Sequence, residues 1–376
     1  MDQSTVSTNA IIITIVVLVL IVICACVMST NSTQDCKTQY NNLFLDSIVK
    51  QFVYKLCMAN GQPLYTLTPN DARKVLNSLQ NPSYSSTEVD VLDTILPIGP
   101  GRYQDVRVRI MRPAGINIKT PLPIVMYFHG GGWVLGNINT HNNLIRQLTI
   151  GAQVALVFVE YTLSPEAQYP VPILQAYAAT KYIIDHAKDY NMDPSRIAVV
   201  GDSVGGNMAT VVAMLYNNKA DVETEAETEV ESETMYPRID LQLLFYPVTN
   251  ANFNTNTYNK YADGPWLTRK NMEWFWDNYL PNKRLRTEPT ASPLMANTQI
   301  LKSMPKTLII VDQHDILRDE GEAYARRLQE AGVDVTLTRY DGMIHDFMML
   351  NDLAESSQTQ KAIQEAIGFI KTYFKL

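Results

Sequence analysis

Hydrophobic positions along this chain repeat with two periods, and these periods predict its secondary structure. Short runs rich in β-branched residues predict eight strands, at Val89–Leu96, Val106–Met111, Pro123–Phe128, Val154–Tyr161, Ile197–Val200, Leu241–Tyr246, Thr307–Val311 and Val335–Tyr340. The first two runs alternate apolar and polar residues, as antiparallel edge strands do. Later runs such as Ile197–Val200 are apolar throughout, which is typical of parallel strands buried on both faces.

Longer amphipathic segments lie between and beside these strands. They predict helices over Leu43–Leu56, Ile173–Tyr190, Gly321–Gly332 and Gln360–Phe374. In the last of these helices, four apolar residues share one face that would pack on the sheet, namely Ile363, Ile367, Ile370 and Phe374. Because strands alternate with helices, we predict an α/β fold in which helices cover a mostly parallel sheet.

Near the N-terminus, residues 10–28 form a run of 19 residues without a charge or a proline. At about 1.5 Å per residue, a helix of this length crosses about 30 Å, the thickness of the hydrocarbon core of a bilayer. We therefore expect a single-pass membrane anchor, preceded by a tail over residues 1–9. The alternative is a cleaved signal peptide, which favours a shorter apolar stretch and a basic start that this tail lacks. The sequence leaves open which membrane the anchor enters and from which side.

Composition divides the rest of the chain into regions. Residues 29–88 are polar and mixed, and we interpret them as a stalk followed by an N-terminal cap segment. Residues 89–376 hold the predicted strands and form the main domain, in which the aromatic-rich residues 250–300 are expected to supply a second cap segment. Residues 221–235 form an acidic insert, which we predict to be a solvated loop because like charges along it repel one another.

The chain has 376 residues, of which 46% are hydrophobic and 18% charged, and these proportions exclude a disordered or collagen-like protein. Its formal net charge of −7 argues against nucleic-acid binding, which requires a surplus of Lys and Arg. Seven acids between Asp221 and Glu233 account for this whole charge. Outside the apolar run there are two cysteines, Cys36 and Cys57, which are compatible with one disulfide but form no CxxC metal motif.

The sharpest local motif is Gly201-Asp202-Ser203-Val204-Gly205, where a predicted buried strand turns directly into a helix. This is the G-x-S-x-G pattern of a nucleophile elbow. A turn this tight strains the serine backbone, and side chains at the two glycines would collide with the neighbouring strand and helix. We therefore predict that Ser203 is a nucleophile at the end of its strand, with a helix N-terminus behind it that favours developing negative charge.

A second motif, His129-Gly130-Gly131-Gly132-Trp133, follows the third predicted strand. Consecutive glycines let backbone N–H groups approach an oxyanion without interfering side chains. We assign the oxyanion donors to Gly130, Gly131 and Val204, and a structural role to His129. A glycine-rich phosphate loop is excluded, because no Lys-Ser/Thr pair follows the glycines.

A serine nucleophile also needs a base and an acid, which come later in the chain in a hydrolase of this kind. Among the five histidines, His345 lies in the loop after the last predicted strand, where the base is expected. The acid is expected after the preceding strand, which offers Asp312 and Asp315. Spacing alone leaves both candidates open.

Together these motifs resemble the hormone-sensitive-lipase-like branch of the α/β-hydrolases, which includes carboxylesterases and membrane-anchored arylacetamide deacetylases. The resemblance spans residues 124–350 and includes YTLSPE at Tyr161–Glu166, DILRDEG at Asp315–Gly321 and GMIHDF at Gly342–Phe347. It implies that the acid is the first aspartate of the D-x-L-R-D motif, Asp315.

The chain departs from this family pattern at three places. Val204 replaces the usual alanine of the elbow, Asp346 replaces the glycine that usually follows the histidine, and the acidic insert has no counterpart. The extra carboxylate beside His345 is expected to affect the protonation of that histidine.

The resemblance and the motifs imply a membrane-anchored serine hydrolase that cleaves carboxylic esters, with small-molecule or lipid esters as substrates and no metal or organic cofactor. Trp133, Trp266 and Trp274 are candidates for lining the substrate pocket, although core packing is the alternative for such aromatics. Two other functions stay open: a catalytically silent binding or receptor module, which would lack a catalytic residue, and an amidase or peptidase of the same fold. The sequence does not indicate an oligomeric state.

Overall fold

The computed structural model describes residue 38 and residues 40–80, 88–99, 105–226 and 237–376. The chain divides into two compact units, Met1–Gly61 and Gln62–Leu376. The segment that we interpreted as one stalk and cap, residues 29–88, is therefore divided between the two units.

In the first unit, helix α1 spans Ser47–Ala59 and begins after the predicted start at Leu43. Asp46 explains this start, because its carboxylate accepts a hydrogen bond from the N–H of Ile48 at 2.9 Å and caps the helix. Cys57 in this helix is disulfide-bonded. Its predicted partner, Cys36, lies outside the described residues.

The second unit contains an eight-stranded sheet, and its strands correspond to the eight predicted ones. They are β1 Val89–Leu96, β2 Val106–Pro113, β3 Leu122–Phe128, β4 Ala155–Glu160, β5 Met192–Asp202, β6 Leu241–Phe245, β7 Lys306–His314 and β8 Val335–Ile344. Their order across the sheet is β1, β2, β4, β3, β5, β6, β7, β8.

The pairing of these strands confirms the fold class predicted from the hydrophobic pattern. β1 pairs antiparallel with β2, and β2 antiparallel with β4. All other neighbouring pairs are parallel. Every residue of β3 is buried, as the continuous apolar run predicts for a strand covered on both faces.

Helices cover the sheet in the second unit. They are α2 Pro69–Leu79, α3 Ile138–Ala152, α4 Val171–Asp185, α5 Val204–Ala226, α6 Asn256–Lys260, α7 Arg269–Tyr279, α8 Thr298–Lys302, α9 Arg318–Glu330 and α10 Ser357–Phe374. Single 3-10 turns lie at Leu64–Thr66, Ala187–Tyr190, Lys283–Thr287, Pro293–Met295 and Asn351–Leu353.

The C-terminal helix α10 buries the face predicted from its apolar spacing, because Ile363, Ile367, Ile370 and Phe374 are all buried. It packs against α3, β7 and β8. Gly151 of α3 allows the close approach, since a Cβ atom there would lie 2.4 Å from Cδ1 of Ile367.

The acidic insert differs from the predicted loop at its beginning. Helix α5 continues to Ala226, so residues 221–226 are helical. Three of these six residues are Glu or Ala, which are strong helix formers, and a helix already started at Val204 extends through the segment with no new nucleation step. The rest of the insert, residues 227–235, lies outside the described residues.

The membrane anchor predicted for residues 10–28 also lies outside the described residues. Within the part of the chain that the structure describes, no helix is long and apolar enough to cross a bilayer.

The sheet brings the predicted functional residues to one edge. His129, Ser203, Asp315 and His345 are each the first residue after a strand, following β3, β5, β7 and β8 in that order. These four strands run parallel, so their carboxyl ends meet at the same edge, where ligands bind in open α/β sheets.

Candidate active site

Ser203 lies on the turn between β5 and α5 and has a left-handed backbone, with φ of +55°. Such a conformation is costly for a residue with a side chain and persists only when neighbours hold it. Here the Ser203 N–H donates to the carbonyl of Phe245 at 2.8 Å, and its carbonyl accepts from the N–H of Val248 at 3.0 Å. The strand beside β5 therefore holds the strained turn in place.

The two glycines of the elbow meet the steric requirement that the motif predicts. A Cβ atom on Gly201 would lie 2.2 Å from the carbonyl oxygen of Gly205 in helix α5. A Cβ atom on Gly205 would lie 2.0 Å from the carbonyl oxygen of Phe128 in the neighbouring strand β3. Any side chain at either position would push the helix away from the sheet.

Ser203, His345 and Asp315 lie together in one hydrogen-bonded chain. Nε2 of His345 is 2.9 Å from Oγ of Ser203, and Nδ1 of His345 is 2.7 Å from Oδ2 of Asp315. The other oxygen of Asp315 accepts from the N–H of Leu317 at 3.0 Å, which fixes the carboxylate. All three catalytic candidates are buried. With the proton on Nδ1, the imidazole is oriented to accept the hydroxyl proton of Ser203.

The contacts of Asp312 and Asp315 distinguish these two candidates for the acid. Asp315 contacts His345, whereas neither carboxylate oxygen of Asp312 has a hydrogen-bond partner within the described residues. Burial raises the pKa of Asp312 well above its usual value, and the nearby charge of Asp315 raises it further. The raised pKa favours the protonated form of Asp312 over its charged form.

Asp312, Asp315 and His345 are also the one group of acidic and histidine side chains, within the described residues, close enough to hold a metal ion. Two of them, Asp315 and His345, already share the 2.7 Å hydrogen bond described above. Their proximity is accounted for by the hydrogen-bonded chain.

His345 is strongly influenced by neighbouring carboxylates. Burial alone would lower the pKa of His345, but the negative charges of Asp315 and then Asp346 outweigh burial and raise this pKa to about 10. The imidazolium form is thus stabilised, as is useful for a base that becomes positively charged during the reaction.

The structure differs from the prediction for one oxyanion donor. The N–H of Gly130 donates to Oδ1 of Asp202 at 3.1 Å, so it is not available to a substrate. Gly131 and Gly132 instead line the cavity that contains Ser203. Among the hydrogen bonds of the described residues, none is donated to a protein acceptor by the N–H groups of Gly131, Gly132 and Val204. The donors that the loop offers are therefore one residue further along than the sequence indicated.

Glycine is required at both of these loop positions. Gly131 has φ of +105° and Gly132 has φ of +64°. A Cβ atom on Gly131 would lie 2.6 Å from the carbonyl oxygen of Leu135, and one on Gly132 would lie 2.1 Å from the ring of Phe275. The loop therefore presents its backbone to the cavity only because these residues have no side chains.

A buried carboxylate, Asp202, holds the glycine loop against the elbow, and sequence analysis missed this role. Besides the N–H of Gly130, Asp202 accepts a hydrogen bond from the hydroxyl of Tyr127 at 2.7 Å. Its second oxygen lies 3.1 Å from Nε2 of His141. The sequence points to this residue, because Asp202 lies inside the elbow motif. The motif does not show, however, what the side chain of Asp202 contacts.

Asp202 and His141 form a buried ion pair. Burial raises the pKa of Asp202, but the charge of His141 and the hydrogen bond between them outweigh it and hold this pKa below its usual value. Burial lowers the pKa of His141, but the charge of Asp202 outweighs it and holds this pKa above its usual value. Both residues are fully buried, so each charge depends on the other.

His129 has the structural role that the sequence indicated. Its ring stacks on Phe158 and Tyr161, and its Nδ1 lies 2.8 Å from the carbonyl oxygen of Gly130. Burial lowers the pKa of His129 to about 3, so this imidazole is neutral at ordinary pH.

The cavity beside Ser203 and His345 has mostly apolar walls. One wall comes from residues on and before α2, and another from residues on and before α7; together they include Leu64, Val75, Leu76, Leu79, Leu267, Met272 and Phe275. Helix α2 is fixed to the rest of its unit by Arg73, which donates to the carbonyl of Val134 at 2.8 Å and binds both carboxylate oxygens of Glu166.

Of the three tryptophans considered for this pocket, Trp266 lines the cavity. Trp133 is fully buried and stacks on Tyr279 with 3.9 Å between ring centroids, so it belongs to the core. Trp274 packs beside Phe275 and is not among the residues that line this cavity. For Trp133 the alternative of core packing describes the structure better, whereas Trp274 is half-buried and lies outside both the core and the wall of this cavity.

The comparisons with known proteins agree with this geometry. The profile of the alpha/beta hydrolase fold family matches residues 125–349. An alpha/beta hydrolase of Acanthamoeba polyphaga mimivirus is 40% identical over 87% of this chain and 88% of its own. The carboxylesterase NlhH of Mycobacterium tuberculosis is 34% identical over 74% of this chain and 81% of its own. The crystal structure of a thermostable esterase from Pseudomonas putida has a TM-score of 0.80 and 41% identity, over 88% of this chain and 98% of that chain.

We expect His141→Leu to lower the free energy of unfolding by about 3 to 5 kcal/mol, because it leaves the buried charge of Asp202 unpaired. In an Asp202→Asn background the same substitution should lower the free energy of unfolding much less, since position 202 then carries no charge that could be left unpaired. Urea unfolding of the four proteins, followed by tryptophan fluorescence, gives the coupling energy. An equal cost of His141→Leu in both backgrounds would show that the two residues do not act as an ion pair.

Proposed function

Because the chain belongs to the alpha/beta hydrolase fold family, we propose that it hydrolyses carboxylic esters through an acyl-enzyme formed on Ser203. The observation that carries this proposal is the hydrogen-bonded chain from Ser203 through His345 to Asp315. Relatives named as a carboxylesterase and an esterase, matched over most of their length, support the ester as the substrate bond.

The first half of the reaction follows from the positions of these three residues. Oγ of Ser203 attacks the ester carbonyl carbon while Nε2 of His345 takes the hydroxyl proton. The resulting imidazolium is stabilised by Asp315 at its other nitrogen. His345 then gives this proton to the leaving alcohol, and the acyl group remains bonded to Ser203.

The second half repeats these steps with water. A water molecule gives a proton to Nε2 of His345 and attacks the acyl carbon, and the same proton returns to Oγ of Ser203 as the carboxylic acid leaves. No group outside the chain, the ester and water is required for the atoms to balance.

In both halves negative charge develops on the carbonyl oxygen. We propose that the N–H groups of Gly131, Gly132 and Val204 stabilise it. The N-terminus of α5, which begins at Val204, adds its positive dipole end at the same place. Donors fixed before the reaction need no reorganisation when the charge appears, which is why such sites contribute strongly to catalysis.

The substrate class follows from the cavity walls. We propose that residues on and before α2 and α7 act as a cap whose apolar side chains bind an apolar acyl or alcohol group. A silent binding module is disfavoured, because nucleophile, base and acid are all present and hydrogen-bonded. An amidase or peptidase would use the same residues, so a matched pair of p-nitrophenyl ester and p-nitroanilide substrates distinguishes these activities.

Replacing the nucleophile tests this proposal. We expect Ser203→Ala to lower kcat for a p-nitrophenyl ester by about 10⁴-fold or more, because no other group can form the acyl-enzyme. Ser195→Ala, which alters an exposed serine, should leave kcat unchanged. Circular dichroism checks that both variants fold, and substantial turnover by folded Ser203→Ala enzyme would refute the nucleophile.

The two neighbouring aspartates offer a matched test of the acid. Asp315→Asn should lower kcat by about 10⁴-fold, because the amide favours the wrong tautomer of His345. Asp312→Asn alters a side chain whose oxygens accept no hydrogen bond within the described residues, and it should keep kcat close to that of the unaltered enzyme. The assignment would be reversed if the second substitution proved the more damaging one.

We further propose that the enzyme is held at a membrane by residues 10–28, whose uncharged length suits a bilayer span. The expressed full chain should stay in the membrane pellet after an alkaline carbonate wash and enter solution in detergent. Deletion of residues 1–28 should release active enzyme, whereas deletion of residues 1–9 should not. Recovery of the full chain in the wash would contradict the anchor.

A further inference from the structure

Asp346 is a charged residue of the site that the mechanism above does not use. It lines the cavity with Ser203 and His345, and it follows His345 directly in the chain. Its backbone is left-handed, with φ of +66°, a conformation that favours glycine. A carboxylate thus occupies a strained position next to the catalytic base.

Two contacts define where this carboxylate lies. Nε1 of Trp266 donates a hydrogen bond to Oδ2 of Asp346 at 2.9 Å, which fixes the side chain. The other oxygen, Oδ1, lies 3.3 Å from Nε2 of His345. Oδ1 has no hydrogen-bond partner within the described residues. A charge-bearing oxygen therefore faces the nitrogen that exchanges protons with Ser203.

We propose that Asp346 is a positioning residue that acts through His345 and sets the pH at which the enzyme becomes active. This inference rests on the proposed esterase function. His345 lies between two carboxylates, Asp315 at Nδ1 and Asp346 at Nε2, so its protonated form is stabilised from both sides. The free enzyme must lose this proton before His345 can accept another from Ser203.

The same contact has an opposite effect once the base is free. A carboxylate 3.3 Å from Nε2 also stabilises the imidazolium that forms when Ser203 attacks. Asp346 thus shifts the acidic limb of the activity profile to higher pH and strengthens the base above that limb. The pH profiles of enzymes with and without this charge should therefore cross.

Other ionisable groups near His345 are accounted for. From β7, Asp312 is buried, and burial raises its pKa well above the usual value, which favours its uncharged form. From α9, Glu320 accepts hydrogen bonds from the N–H groups of Thr249 and Asn250, and burial raises its pKa to about 8.

Three more groups face the imidazole or its neighbour Asp346. From the loop after β6, the ring of Tyr246 lies against His345, and burial raises the pKa of Tyr246 well above its usual value, so it stays neutral. At the end of β5 and on α3, the charges of Asp202 and His141 neutralise each other. The carboxylates that contact the imidazole nitrogens directly are therefore those of Asp315 and Asp346. Burial raises the pKa of Asp346, while the adjacent His345 and the hydrogen bond from Trp266 favour its charged form.

The first test is the pH dependence of kcat/KM for a p-nitrophenyl ester. Asp346→Asn keeps the size of the side chain and an acceptor for Trp266 but removes the charge. We expect the acidic limb to move down by about one to three pH units, because an opposite charge within about 4 to 6 Å shifts a pKa by that amount. Below the limb this variant should be at least about tenfold faster than the unaltered enzyme.

Two further variants make this test specific. Asp346→Gly suits the left-handed backbone and should show the same shift of the acidic limb. It keeps the test decisive if Asp346→Asn fails to fold. Asp341→Asn removes one charge from an exposed side chain on β8, the strand before His345, and should leave the limb in place. An unmoved limb in both Asp346 variants would overturn the inference.

The second test does not depend on turnover. In Ser203→Ala enzyme, NMR titration of ¹⁵N-labelled histidine gives the pKa of His345 directly, with His345→Gln used for assignment. We expect Asp346→Asn to lower this pKa, and an unchanged value would refute the role of Asp346 even in an active esterase. If instead the unaltered protein hydrolyses no ester at any pH, the proposed function fails while the titration still decides the effect of Asp346.

Discussion

The shared carboxyl edge of β3, β5, β7 and β8 is the constraint on which the whole site depends. β5, β7 and β8 end one residue before Ser203, Asp315 and His345, and β3 ends one residue before the glycine loop that begins at His129. Parallel pairing fixes the relative positions of the strand ends, so residues far apart in sequence meet without long loops. The strained turn at Ser203 follows from this arrangement, since backbone bonds from the end of β6 and the loop after it hold it. The rigid sheet thus supplies the precision that catalysis needs.

Much of this site follows from the sequence because its signals are local. The strands are visible as apolar runs, and the elbow and the glycine loop are visible as motifs with a steric reason for each glycine. The choice between Asp312 and Asp315 does not follow from such local signals. Both lie at the end of β7, and only the direction of each side chain decides which one contacts His345. Residue spacing carries no information about that direction.

The features that the sequence did not reveal all depend on contacts between distant segments. Asp202 binds the N–H of Gly130 across 72 positions of sequence, which removes that N–H from the oxyanion site and moves the available donors along by one residue. His141 belongs to none of the sequence motifs, yet it lies 3.1 Å from the carboxylate of Asp202. Trp133 is a candidate for the pocket from the sequence, but its ring packs inside the core. Contacts of these kinds depend on how segments distant in sequence come together in the folded chain.

The contact between Gly132 and Phe275 links the glycine loop to helix α7. There is no room between them even for a methyl group. Phe275 also forms part of the cavity wall, so the surface that we propose binds the substrate touches the backbone that we propose stabilises its reacting oxygen. A larger or smaller residue at position 275 would therefore change preference and rate together. Evolution or engineering of new specificity in this enzyme should proceed more freely along α2, whose side chains shape the cavity without this contact.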